Sequence, residues 1–129
     1  MKKVCAILMF SVFAVACYVN SASALPAFNK EWQGKYVEGN GNAKFVEAVG
    51  SAKCNVCHDA ASKSKKDKNE YGKAVGKYLK KADYDKIKAN AAAAKTYIID
   101  GLEKCEAEKA ASGKSYGETL KSGELPVAQ

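Results

Sequence analysis

Cys54-Asn55-Val56-Cys57-His58 sets two thiols two residues apart, with an imidazole directly after the second. Such a pair can add across both vinyl groups of one haem, and the histidine that follows is then carried beneath the iron as an axial ligand. The same spacing also serves as half of a zinc site or as a redox-active pair. Zinc asks for a second pair of Cys or His ligands, and downstream only Cys105 remains. A thioredoxin-like redox pair belongs to a βαβ setting, whereas no segment here alternates convincingly with period two. The motif is therefore read as attachment of one covalent haem c through Cys54 and Cys57, with His58 ligating the iron.

That chemistry needs export, and the N-terminus has the form for it. Lys2 and Lys3 are a short positive region, and the apolar run from Val4 to Tyr18 is too short to span a bilayer. Ser21-Ala22-Ser23-Ala24 then presents the small residues that a signal peptidase cuts after Ala24. Ala14-Val15-Ala16-Cys17 loosely resembles a lipobox; the downstream Ala-Ser-Ala site is the better cleavage point. Residues 1–24 are thus expected to be a signal peptide, and 25–129 one domain in the periplasm or an equivalent extracytoplasmic compartment, with no further membrane span.

The formal charge is +7, and its 21 basic residues are all lysine. Loss of Lys2 and Lys3 lowers that charge by two. Without arginine there is no guanidinium fork for reading phosphates or base edges, which argues against a nucleic-acid partner. A lysine-coated surface reads instead as solvation, or as steering toward an acidic redox partner protein.

The elements that must position the motif are helical. Leu25 to Asn42, with Pro26, Gly34, Gly39 and Gly41, reads as an irregular lead-in whose Phe28, Trp32 and Tyr36 wrap the core. Asn42 caps a short helix with Phe45, Val46, Ala48, Val49 and Ala52 on its apolar face. A mobile lysine-rich loop runs from Ala60 to Lys68. Asn69 caps a helix over Glu70 to Lys81, on which Gly72 and Gly76 form a small-residue strip open to a flat ring or another backbone. Asp83 opens the longest helix, about Tyr84 to Ala111, with Ile87, Ala91, Ala94, Ile98, Leu102 and Cys105 along one face. Glu118 to Gln129 reads as a loose tail. The fold class expected is all-α.

A short helix, then C-x-x-C-H, then further helices resembles the class I cytochrome c family, a small helical domain wrapped around one haem. That family takes its second axial ligand from a methionine in the C-terminal half. This chain departs from it: both methionines, Met1 and Met9, lie in the signal peptide, and His58 is its one histidine. The candidates left are Cys105, a lysine, a tyrosine, water, or none. Cys105 lies 47 residues after His58, comparable to the His-to-Met separation in small bacterial cytochromes c, and sits on the buried stripe. A buried inert thiol is the plain alternative.

Over roughly Phe28 to Gly117 the chain is also similar to the His/Cys-ligated small cytochromes of anammox bacteria, the NaxLS family. The resemblance implies thiolate ligation by Cys105, a very low potential, binding of NO or CO, and pairing as a heterodimer of two related monohaem subunits. A thiolate donor stabilises ferric iron, which points the same way for the potential. Three functions follow. Low-potential electron transfer comes first, and redox-gated NO/CO binding or sensing, with Cys105 as displaceable ligand, is the alternative. Haem-thiolate catalysis ranks last, because no second histidine and no arginine is present to serve as a distal acid–base pair.

Overall fold

A computed structural model describes residues 26–127; the expected signal peptide and its cleavage site lie outside the described residues. Six α-helices follow in order: α1 Pro26–Tyr36, α2 Ala43–Ala52, α3 Glu70–Tyr78, α4 Lys81–Ile87, α5 Ala91–Glu106 and α6 Tyr116–Lys121. A 3₁₀ turn, Lys53–Val56, continues α2. Among the described residues the only strand-like pairings are two isolated antiparallel bridges, His58 with Lys68 and Lys109 with Ser115. The domain is all-α, as expected.

Asparagines set several of the helix starts. The side-chain oxygen of Asn42 accepts from the Phe45 amide at 3.2 Å, and that of Asn69 from the Gly72 amide at 2.8 Å. Both caps were expected. Four elements differ from the sequence reading. The lead-in is helical, because Pro26 stands at the first helical position, where its missing N–H is no loss and its fixed φ already suits a helix. The expected long helix is two. Asn90 satisfies the Ala93 amide with its own side chain at 3.1 Å and so starts α5 afresh at the alanine run. The tail holds α6, opened by a capping box in which Ser115 and Glu118 satisfy each other's backbone amides.

α3 also stops at Tyr78, three residues before the expected end at Lys81. Leu79 turns to extended backbone and drives its side chain into the core, over Gly101 of α5. A Cβ on Gly101 would stand 2.3 Å from Leu79 Cδ2, so only glycine permits the approach. The Tyr97 hydroxyl brackets the break, donating to the Tyr78 carbonyl at 3.2 Å and accepting from the Lys80 amide at 2.9 Å.

α5 is the central helix, packed against α1, α3, α4 and α6. Ala94, Ile98, Leu102 and Cys105 are buried along it, as the spacing predicts; Ala91 is exposed and Ile87 belongs to α4. Trp32, Phe45, Val49, Val56, Tyr71, Tyr116 and Leu120 close the core around this stripe. Trp32 Nε1–H donates to the Tyr71 hydroxyl at 2.8 Å, and the Tyr71 ring meets Tyr116 edge-on with centroids 5.0 Å apart. Phe28 and Tyr36 pack on the same cluster, so the aromatic lead-in does cover the core. No helix among the described residues is long and apolar enough to cross a membrane.

Two outcomes test this packing. Tyr71→Phe leaves the indole N–H of Trp32 buried without an acceptor, and denaturant unfolding should show a loss of about 1–3 kcal/mol. The hydrogen bonds from Ser115 hold Glu118 below its ordinary value of 4.5. A carboxylate with depressed folded pKa stabilises above its unfolded pKa and stops doing so as pH falls through the folded one. Protection of the α6 amides, taken as exchange relative to the unfolded-chain rate at the same pH, should therefore fall as the medium is acidified below that ordinary value, and a Glu118→Gln chain should lose most of this pH dependence.

Candidate functional site

The Cys54–His58 motif occupies the turn between α2 and a lysine-rich loop. α2 enters it with Phe45 and Val49 buried, then ends at Lys53, whose φ of 49° is the one positive value among the described non-glycine residues. Such a backbone carries strain of order 1–3 kcal/mol and persists only where its surroundings hold it. Val56, turned into the core, is the anchor. The amides of Cys57 and His58 both donate to the Cys54 carbonyl, at 3.2 and 3.0 Å, which winds the motif into one tight turn. Cys54 lies within the 3₁₀ turn and is exposed, whereas Cys57 caps it and is half-buried against the core.

His58 is only 4% exposed. Its Nδ1 lies 3.3 Å from the Asp67 carbonyl oxygen. A carbonyl can only accept, so Nδ1 carries the hydrogen and the Nε2 lone pair is left for a ligand. The backbone around the ring is tied down as well, the Asp59 amide donating to the same Asp67 carbonyl at 3.1 Å. His58 lines a groove of about 1130 Å³, together with Ala48, Ser51 and Ala52 of α2 and, from the far end of the chain, Ala110–Ser112 and Leu125–Val127. Cofactor sites commonly run to about 300–1,000 Å³.

Cys105 lies elsewhere. It is fully buried in the core cluster beside Leu102, Tyr71 and Tyr116 and does not line the groove. Burial, reinforced by Glu108 and Cys57, pushes its thiol up to about 12. Burial does the same to Cys57, also to about 12, with Lys68 opposing and Cys54 adding to it. The structure thus brings Cys57 and Cys105 to one apolar cluster as neutral thiols, and sends His58 into the groove. Among the described residues no three Cys, His, Asp or Glu side chains converge as a metal site, so the three cysteines do not form a zinc cluster.

The residue that sequence reasoning undervalued is Asn69. Beyond capping α3, its side-chain amide donates to the carbonyls of Asn55, Val56 and His58 at 2.9, 3.0 and 3.3 Å, and its backbone amide donates to that of Cys57 at 3.2 Å. A capping pattern reveals only the first of these roles. Gly72, one turn on, packs flat on the motif: a Cβ there would stand 1.9 Å from the Cys57 carbonyl oxygen. The small-residue strip thus admits a backbone, the second of the two uses expected for it.

Two thiols and an imidazole on one turn are the donor types that a covalent haem takes, but of the three only His58 lines the groove. His58 offers one oriented nitrogen, whereas the raised Cys57 thiol would have to be activated before it could add to a vinyl group. The chain does not, as packed, set Cys105 across the groove from His58. The chain matches no protein-family model, no curated protein and no solved structure.

Gly72→Ala should force α3 and the motif apart, with a loss of about 1–3 kcal/mol in denaturant unfolding, the usual penalty for overpacking.

Proposed function

We propose that the protein is an exported monohaem c-type cytochrome. In this reading Cys54 and Cys57 form thioethers, His58 is the proximal ligand, and the helices wrap the haem. The observation that carries the reading is the His58 imidazole, buried beside two thiols on one turn, with Nδ1 spent on Asp67 and Nε2 free. Haem supplies a one-electron iron couple; low-potential electron transfer with a redox partner protein is the function proposed, and not catalysis. Lys63, Lys65, Lys66 and Lys68, exposed on the loop that holds His58, suit an acidic partner.

Cys105 remains the proposed sixth ligand, with one condition added by its position. To reach iron held by His58 it must leave the packing of Leu102, Tyr71 and Tyr116, and its thiol must lose a proton that burial retains. Iron itself favours that loss by stabilising the thiolate. The same position supports the second reading, redox-gated binding of NO or CO. Were Cys105 to leave the iron on reduction, its thiolate would take up a proton in the core, and the haem could then offer that place to a diatomic gas. Pairing with a related monohaem subunit, as in NaxLS, is proposed on the resemblance of the motif alone.

Expressed in a host that exports and matures c-type haem, the chain should begin at Leu25 and carry one haem that survives denaturation. Cys54→Ala and Cys57→Ala should each reduce it to a single thioether or none, read by mass and by the pyridine haemochrome band. A denatured chain free of haem would sink the assignment. Low-temperature EPR of the ferric protein beside Cys105→Ala decides the sixth ligand: a low-spin signal of narrow g-spread, absent from the variant, is the result expected for thiolate. Identical spectra would return Cys105 to the role of core thiol.

A further inference from the structure

The tight turn from Cys54 to His58 creates a difficulty of its own. Winding five residues this closely aims four successive carbonyls, those of Asn55, Val56, Cys57 and His58, away from the helical ladder that would otherwise satisfy them. An unpaired buried carbonyl is costly, and a chain with so many would open the turn to water. All four are taken by Asn69. Its side-chain amide has two hydrogens, shared over three of the carbonyls, and its backbone N–H takes the fourth. The carbonyl of the same side chain accepts from the Gly72 amide at 2.8 Å, which fixes the rotamer and joins the turn to the start of α3.

We propose that Asn69 is a positioning residue: it holds the Cys54–His58 turn in its ligand-ready form before any haem is attached, and keeps His58 Nδ1 on the Asp67 carbonyl. Its significance for attachment rests on the cytochrome reading above. The hold itself is a property of the polypeptide. Preformed, the turn fixes Cys54 at the surface, Cys57 against the core and the His58 ring on the Asp67 carbonyl. Released, the same residues must be ordered by the haem during attachment, and His58 is free to exchange tautomers.

Asn69→Ser separates the two roles of this side chain. Serine caps a helix about as well as asparagine. It keeps an acceptor for Gly72 but is too short to reach the three carbonyls. Asn69→Ala removes both roles and serves as the reference for a lost cap.

The full chain, produced without haem maturation, is measured by amide hydrogen exchange and by ¹⁵N signals of the His58 ring. For Asn69→Ser the expected result is an unfolding stability between those of wild type and Asn69→Ala, with the Cys57 and His58 amides exchanging about tenfold faster, as loss of one or two net hydrogen bonds implies. The two ring nitrogens should move toward averaged values. The haem-bearing fraction from matured expression should fall about tenfold, the usual scale for losing an outer partner of a ligand. Wild-type exchange and ring signals in Asn69→Ser would overturn the proposal and leave Asn69 a helix cap. So would a wild-type haem-free chain whose Cys57 and His58 amides exchange at unfolded rates. If the wild-type chain takes up no haem under maturation, the cytochrome reading fails, and exchange in the haem-free chain still decides the hold.

Discussion

The fold depends on one buried stripe of α5. Ile98, Leu102 and Cys105 present an unbroken apolar edge, and α1 and α6 each bring one large aromatic residue, Trp32 or Tyr116, to it. Tyr71 is the member that links them. It is almost fully buried, takes a hydrogen bond from Trp32 and stacks edge-on with Tyr116. Because it belongs to α3, whose cap is Asn69, the core and the Cys54–His58 turn are mechanically one unit. Burial together with Cys57 and Cys105 raises the Tyr71 phenol well above its ordinary value, so the hydroxyl stays protonated through the range in which the protein works.

That unit explains how the site is divided. Cys57 and Cys105 sit in the dry cluster, where desolvation disfavours thiolate. His58 is buried at the wall of the groove, and Cys54 is exposed to solvent. A redox centre joined to Cys57 would lie at the border between the two environments. Any partner that draws Cys105 out must supply the charge stabilisation that the core withholds. This is why ligand exchange and core packing are coupled in the proposed mechanism, and why a close-packed interior resists it by default.

Surface ion pairs complete the arrangement without directing it. Lys77 meets Glu108 at 2.6 Å and Lys35 meets Glu103 at 3.1 Å, both in largely solvated settings where such pairs contribute little. Their use is geometric. Tyr36 and Tyr78 bond to Glu106 and Glu108 at 2.8 and 2.6 Å, and so α1 and α3 are tied to the end of α5 and to the turn just beyond it.

By itself, the sequence determined the all-α class, two of the asparagine caps and the aromatic cover, because each depends on residues within a few positions of one another. The capping box at Ser115 and the helix-starting Pro26 were legible on the same terms, and were obscured only by neighbouring glycines. Tertiary structure alone decided the rest. Leu79 breaks α3 because a space over Gly101 exists for it, and no local propensity records that space. Cys105 occupies the predicted face of its helix, yet a helical period says only that a side chain points inward, not which part of the interior it meets. Asn69 reads as a cap, but its hold on four carbonyls exists only once a turn eleven or more residues away is folded against it. Local patterns set which groups must be buried or bonded, and the packing of distant segments sets to what.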